Sequence, residues 1–326
     1  MKCRCVLLPL LVCACLLLFA SASPAGHKDP ARARPLVALA AKEADVHGLA
    51  RLFSSITKQN MVVPGSVAGR VSLRSVRAPW DRVWGMALDE IGYGFRWHGS
   101  FLVAGEPEEI KASLAARHSM GRRTGNPAGT RITLDFVRAD LANLLVLFSE
   151  VQGVKILAGK GLDAKVSVQV RNTRWRHALE AILLACGMGM KKDGASIRVG
   201  RFASLAGDAS GFAPVEKTPL EPDAPGPEPE PRGWISPAER YELGAFRLTA
   251  VVSGISSPQA LVETDDGNFI VLKKNARVGK QHARVVEILP EALLLEETFR
   301  DSAGQRVGKR YRMELGGRAV EIAGDR

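Results

Sequence analysis

Between Arg131 and Gly200 the spacing of apolar residues changes period several times. Ile132, Leu134 and Phe136 alternate with polar neighbours, the period of a strand with one face covered. From Leu141 the spacing becomes three and four. Leu141, Leu144, Leu145, Leu147, Phe148 and Val151 then share one side of a helix. Asp140 stands where a side-chain oxygen can accept the unpaired amides of the first turn, and Gly153 where a left-handed residue can end it. Val154–Leu157 reads as a short strand, and Val166, Val168 and Val170 alternate again. Thr173 is placed to cap a second helix with the stripe Trp175, Ala178, Leu179, Ile182, Leu183 and Cys186, stopped by Gly187. A closing hairpin turns at Asp193-Gly194. The order predicted is β-α-β-β-α-β-β.

An earlier stretch carries the same pattern at a constant offset of 95 residues. Leu39 falls on Leu134, Ala44-Asp45 on Ala139-Asp140, Leu52-Phe53-Ser54 on Leu147-Phe148-Ser149, and Trp80 on Trp175. Gly92, Gly94, Gly99 and Gly105 fall on Gly187, Gly189, Gly194 and Gly200. A gapless register of this kind points to a duplicated domain, residues 36–105 and 131–201. Pro79 suits the first turn of the second helix in the first copy, whose stripe is Trp80, Val83, Trp84, Ala87, Leu88 and Ile91. Trp80, Trp175, Phe53 and Phe148 are expected in the two cores.

Residues 106–130 are polar, basic and glycine-rich and read as a mobile connector. Residues 203–238 form a second linker, whose alternating prolines favour an extended chain over a packed core. Beyond it the pattern is all strand. Runs near 243–252, 259–264, 268–273, 283–289, 292–299 and 306–315 are separated by turns at Asp265-Asp266-Gly267-Asn268 and Asp301-Ser302-Ala303-Gly304. The fold class is therefore α+β: two small β-α-β-β-α-β-β domains followed by a small all-β sandwich or barrel over 241–322. In the first strand of that domain, Phe246, Leu248, Ala250 and Val252 are expected to face its core. Arg247, Thr249 and Val251 would then point outward along an edge open to a partner strand.

The N-terminus has the form of an export signal, residues 1–22. Lys2 and Arg4 precede the apolar run Val6–Phe19, and Ala20-Ser21-Ala22 supplies a cleavage site. A lipid anchor at Cys15 and an uncleaved inner-membrane anchor are the alternatives. Cys3, Cys5, Cys13 and Cys15 all lie in the signal, so the exported chain keeps Cys186 alone and forms no internal disulfide. Its place on a helix stripe makes Cys186 a small buried hydrophobe rather than a reactive thiol. The six histidines are scattered and no HExxH or paired Cys-x-x-Cys occurs, so no metal, cofactor or catalytic site is expected. Gly92-x-Gly94 and Gly187-x-Gly189 follow helices, whereas a dinucleotide loop opens one. The net charge is +11, but an exported protein meets no nucleic acid. The excess suits solubility or an acidic partner surface. From residue 241 onward 13 basic residues stand against 12 acidic ones, so the excess lies earlier in the chain.

Two stretches resemble known families. ADLANLLVLFSEVQG (139–153), followed by NTRWRHALEAILLACGMG (172–189), resembles the small periplasmic domains of bacterial secretins and the related STN domain of secretins and TonB-dependent receptors. The resemblance implies a module for protein contacts and ring assembly, without catalysis. ALVETDDGNFIVLKKNARVGKQHARVVEILPEALLLEE (260–297) resembles the folded domain of the PilP family and the homology region of GspC, most specifically at Arg277-Val278-Gly279 and Arg284–Ile288. These families imply a periplasmic adaptor of a type IV pilus or type II secretion machine. Its partners would be the periplasmic domains of an outer-membrane secretin and inner-membrane platform proteins, with no small-molecule substrate. The STN resemblance alone implies a different role, a signalling module touching a TonB-dependent receptor or regulator. Domains that the two families carry on separate, mutually binding proteins here share one chain. The C-terminal domain is therefore expected either to dock on one of the repeats, within the chain or between chains, or to hang free as a bead on a string.

Overall fold

The protein is described here from a computed structural model covering residues 34–119, 130–207, 211–215, 236–255, 257–300 and 305–322. The export signal, the Cys15 anchor position and most of the proline-rich linker lie outside the described residues.

The chain is mixed helix and sheet. It begins with β1 (Leu36–Ala41), β2 (Ala44–Asp45), α1 (Val46–Thr57), β3 (Asn60–Pro64), β4 (Arg70–Val71), β5 (Arg74–Pro79), α2 (Trp80–Asp89), β6 (Gly94–His98) and β7 (Phe101–Gly105). Asp45 accepts the His47 amide and so starts α1; Lys58, in a left-handed conformation, ends it with its amide on the Ser54 carbonyl. β1 pairs antiparallel with β5 and β2 with β4, while β3 runs parallel to β7, which forms a hairpin with β6. The helices pack between these strands. Leu49, Leu52, Phe53, Trp84 and Leu88 are wholly buried there, and Phe53 meets Trp84 edge-on at 5.4 Å.

The stretch expected to be a mobile connector starts with a helix, α3 (Pro107–Ser119). Glu108 and Glu109 in its first turn favour the positive end of the helix dipole, and its last turns reach α5 through an Arg117–Glu180 ion pair. The second segment then repeats the first: β8 (Arg131–Asp140), α4 (Leu141–Gln152), β9 (Lys155–Ala158), β10 (Lys165–Arg174), α5 (Trp175–Ala185), β11 (Met188–Asp193) and β12 (Ser196–Arg201). β8 pairs antiparallel with β10, β9 runs parallel to β12, and β11–β12 is a hairpin.

Thr173 does not cap α5. Its hydroxyl donates to the Arg171 carbonyl, and the first α5 amide, on Trp175, bonds the Thr130 carbonyl instead. The same device opens α2, where the Trp80 amide bonds Pro35. The closing hairpin turns one residue later than expected. Asp193 still pairs with Ser196, so Gly194, at φ +56°, and Ala195 make the turn. Trp80 and Trp175 are 3% and 4% exposed and Phe53 and Phe148 0% and 4%, all four inside the two cores.

After α6 (Phe202–Ala206) and the two-residue β13 (Ala213–Pro214), the chain continues as β14 (Phe246–Ser253), β15 (Gln259–Thr264), β16 (Phe269–Lys273), β17 (Arg277–Val278), β18 (Ala283–Ile288), β19 (Ala292–Arg300), β20 (Arg306–Glu314) and β21 (Ala319–Ile322). β17 to β21 form a five-stranded antiparallel sheet and close a third core around Phe246, Leu248, Val262, Leu293 and Met313.

The sheets do not stop where the linkers begin. β10 pairs with β3, joining the first and second segments in the order β6-β7-β3-β10-β8. β14 pairs with β1, joining the first segment to the C-terminal one in the order β16-β15-β14-β1-β5.

Candidate functional site

The site is built where the C-terminal segment meets the first one. β14 was expected to be an edge; both its sides are taken. Thr249 is 0% and Val251 2% exposed, and only Arg247 keeps contact with solvent. The strict alternation fails too, because β14 is bulged. Leu248 pairs with Val262, but Ala250 pairs with Leu261, so one extra residue is inserted at Thr249. The bulge turns the strand over half-way along. Phe246, Leu248 and Val251 face the C-terminal core, whereas Ala250 and Val252 face the core of the first segment. One strand thus serves two cores, an arrangement invisible to a period-two count.

Along the junction, Ala38 to Ala41 of β1 lie opposite Ser253 to Ala250, and the Lys42 amide extends the ladder to the Thr249 carbonyl at 3.0 Å. α1 covers the joint. At Gly48 the helix comes so close that an added Cβ would stand 2.9 Å from the Phe269 ring and 3.1 Å from Leu261. The matching residue of α4 is Asn143, so this glycine belongs to the joint and not to the shared pattern. Gly254, at φ +125°, lets the end of β14 pass against the Leu36 backbone. Polar partners finish the seam. Arg51 donates to the Phe269 carbonyl at 2.6 Å, and Ser55 to Gln259 at 2.9 Å. Arg74 pairs with Glu291 at 2.7 Å.

Glu263 is the electrostatic centre of the seam. Arg70 of the first segment grips both its oxygens, at 2.8 and 3.0 Å, and Arg247 approaches from the other side at 2.5 Å. The Arg70 hydrogen bonds, assisted by charge, hold the Glu263 carboxyl below the usual carboxylate range against the opposing effect of burial. Arg70 is raised in return, chiefly by the same bonds.

A second junction joins the first two segments. The buried His47 bonds Ser167 through Nδ1 at 2.8 Å, Arg138 pairs with Asp45 at 2.5 Å, and Arg51 with Asp135 at 3.0 Å. Burial pushes His47 below its ordinary value, so it is neutral at physiological pH. At a third junction the short β13 lies antiparallel on β9.

Residues that sequence reasoning missed are Arg70, Glu263 and Gly48; the available signals were a charged residue inside an apolar strand run and a glycine inside a helix. The recurring Ser54 and Ser149 donate to the carbonyls of Gln59 and Val154, pinning each helix end to the next strand. Cys186 is a thiol pushed by burial to about 12, and so stays protonated. Among the described residues no group of three or more His, Cys, Asp or Glu is gathered to hold a metal. No described helix is long and apolar enough to cross a membrane. The seam is held by ladder hydrogen bonds, two apolar faces and a charged clasp, the means by which one protein surface binds another.

One comparison with known proteins falls on the C-terminal side of this seam. A family model described as "Pilus assembly protein, PilP" matches residues 208–315. The type IV pilus biogenesis and competence protein PilQ of Neisseria meningitidis (serogroup A) is 22% identical over 89 residues, which cover 27% of this chain and 12% of that protein. The chain therefore spans a small part of that relative. A solved domain of the type IV pilus biogenesis lipoprotein PilP from Pseudomonas aeruginosa PA01 is 18% identical, with a TM-score of 0.24 over 27% of this chain and 100% of that one. A domain of the Neisseria meningitidis PilP pilot protein is 17% identical, with a TM-score of 0.23 over 31% of this chain and 94% of that one. The family match and the PilQ relative support a role in type IV pilus biogenesis.

Proposed function

We propose that this chain is a non-catalytic periplasmic adaptor of a type IV pilus machine, brought across the inner membrane by its N-terminal signal. Its C-terminal domain binds the small periplasmic domains of an outer-membrane secretin, and the rest of the chain links them to inner-membrane components. The observation that carries the reading is the β1–β14 seam. The part of the chain that matches the PilP family is already strand-paired to the first segment, whose pattern repeats the stretch 139–189 that resembles secretin periplasmic domains. That seam is a working pattern for the contact with a separate secretin. A secretin domain with its own β1-type strand would bind by replacing the first segment on β14, gaining the same ladder. The internal clasp sets the threshold, since the secretin must outcompete a tethered rival at high local concentration.

The test is calorimetric titration of the chain with the purified periplasmic portion of a type IV pilus secretin from the same cell, with hydrogen exchange read on the complex. Binding should speed exchange of the Leu36–Ala41 amides as β14 is released. Arg70→Glu, which breaks the clasp, should tighten binding. If neither the parent nor the Arg70→Glu chain binds, the adaptor reading is wrong.

A further inference from the structure

The junction between the first two segments is a head-to-tail contact, and the chain holds one unused half of it at each end. Inside the chain, β10 lies on the outer edge of β3, with α5 lying across β3 and β7. β9 occupies in the second segment the place of β3 in the first, each parallel to the last strand of its segment. β4 and β5 together occupy the place of β10, each pairing with the opening strands. The internal junction consumes β3 and β10. It leaves β9 at one end and β4–β5 at the other.

Neither of these edges has a full partner among the described residues. Among the described residues β9 is covered by Ala213, opposite Ala158, and Pro214, opposite Leu157, with the Val215 amide reaching Ile156 at 3.3 Å. Pro214 has no amide to give, which makes this a weak ladder. β5 is the last strand of its sheet. Next to it the Ser72 amide is satisfied by the Glu90 carboxylate at 2.9 Å, not by a strand, and Val76 is 86% exposed.

The two ends match in register and in charge. Moving the β3–β10 register by the 95-residue offset sets Ser72 opposite Ala158 and Leu73 opposite Leu157, the two positions that Ala213 and Pro214 now fill. The part of the internal junction beneath α5 is apolar: Val62, Phe101 and Val103 of the first segment are buried in the second core, and Ala181 and Leu184 on α5 are buried as well. At the free ends Val103 becomes Arg198 and Leu184 becomes Asp89. A positive charge on one half is answered by a negative charge on the other. Arg198 is also poorly satisfied where it stands. It is 7% exposed, lies over the Phe212 ring at 5.4 Å, has Asp193 at 3.2 Å from Nε, and has no hydrogen-bond acceptor for Nη1 among the described residues. Buried guanidinium donors are ordinarily paired.

We infer that copies of this chain join head to tail, β4–β5 of one copy displacing the Ala213–Pro214 strand from β9 of the next. α2 of the incoming copy lies across β9 and β12 as α5 lies across β3 and β7, bringing Asp89 to the side of Arg198. Each addition frees another pair of ends, so the contact builds a ring if the rotation closes and a filament if it does not. The start of the proline-rich linker acts as a removable cap that keeps single copies apart. This inference stands independently of the pilus reading, because it rests on the strand pairing and on the side chains at the two ends.

The test uses the exported chain from Ser23, with Cys186→Ala so that no other thiol remains. One preparation carries Ser72→Cys and a second Ala158→Cys. Each is checked for a parent-like melt and then oxidised with oxidised glutathione, alone and mixed. A disulfide-linked dimer should appear in the mixture and be several-fold scarcer in either preparation alone. Phe212→Ala in the Ala158→Cys chain should raise the yield several-fold by loosening the cap. Asp89→Lys in the Ser72→Cys chain should lower it about tenfold, as loss of a desolvated charge pair does, and Arg198→Glu in the other chain should restore it. No dimer in the mixture, even with Phe212→Ala, overturns the inference. So does a dimer equally abundant in either preparation alone, or one insensitive to the Asp89 and Arg198 exchanges. A purified secretin domain that takes the edge while copies never cross-link would also overturn it, by assigning β9 to another partner.

Discussion

Glu263 shows how one carboxylate can make a seam sensitive to pH. Its folded-state value is depressed, first by the Arg70 hydrogen bonds. The stabilisation is therefore complete above the ordinary carboxylate value of about 4.3 and is lost as pH falls through the lower, folded value. Melting temperature should fall on acidification across this range, and Glu263→Gln should flatten that part of the profile. An unchanged profile in the variant would assign the acid sensitivity to another group. Trp175, 4% exposed beside Phe148, is a different kind of residue, contributing by volume. Trp175→Ala should cost ~3–5 kcal/mol in denaturant unfolding, and a parent-like midpoint would contradict its core position. The tryptophans could be read from sequence because core residues obey a local period. Glu263 could not, because its partner Arg70 lies far away in the chain and only the fold brings the two together.

At the level of elements, helices and strands were legible wherever one core imposed one period. α2 and α5 follow their stripes, and the Asp45 and Asp140 caps act as their chemistry suggests. α4 follows its stripe only as far as Phe148: Val151, expected on the buried face, is 62% exposed, and Val146 is buried instead. Legibility failed where an element answers to two neighbours. β14 changes face at its bulge, so Val251, read as outward, is buried. α3 was hidden because its residues carry little apolar contrast and resemble the basic stretch that follows. β17 and β21 are too short to show a period. α1 also supplies a sharp test of the seam. A side chain at Gly48 must push Phe269 and Leu261 away. Gly48→Leu should cost ~1–3 kcal/mol through overpacking and lengthening of the joint. Hydrogen exchange should show the loss at β1 and β14, with β8 and β10 unaffected. Uniform loosening of all four strands would mean that the glycine serves the first core instead.

On the scale of the whole molecule, shared sheets change what a cut in the chain should do. Proteases are expected to enter the proline-rich linker, as its composition predicts. The pieces on either side are nevertheless joined by the β1–β14 ladder, the α1 packing and the Arg70–Glu263 clasp. A chain nicked between residues 216 and 235 should therefore elute as one species from a sizing column and separate only in denaturant. Separation under native conditions would show that the linker, and not the seam, keeps the pieces together.

The pairing of β1 with β14 also bears on how the protein is made. Leu39 and its partner Val252 are separated by most of the chain, and closing so large a loop is slow. Any chain is made with its N-terminus first, so β1 is available long before β14 is. During that interval the outer edge of β1, with its unpaired amides and carbonyls, is open to any strand nearby. The first sheet to be started is thus the last to be finished, and a holding factor, or the incoming partner itself, has a window in which to bind before the chain closes on itself.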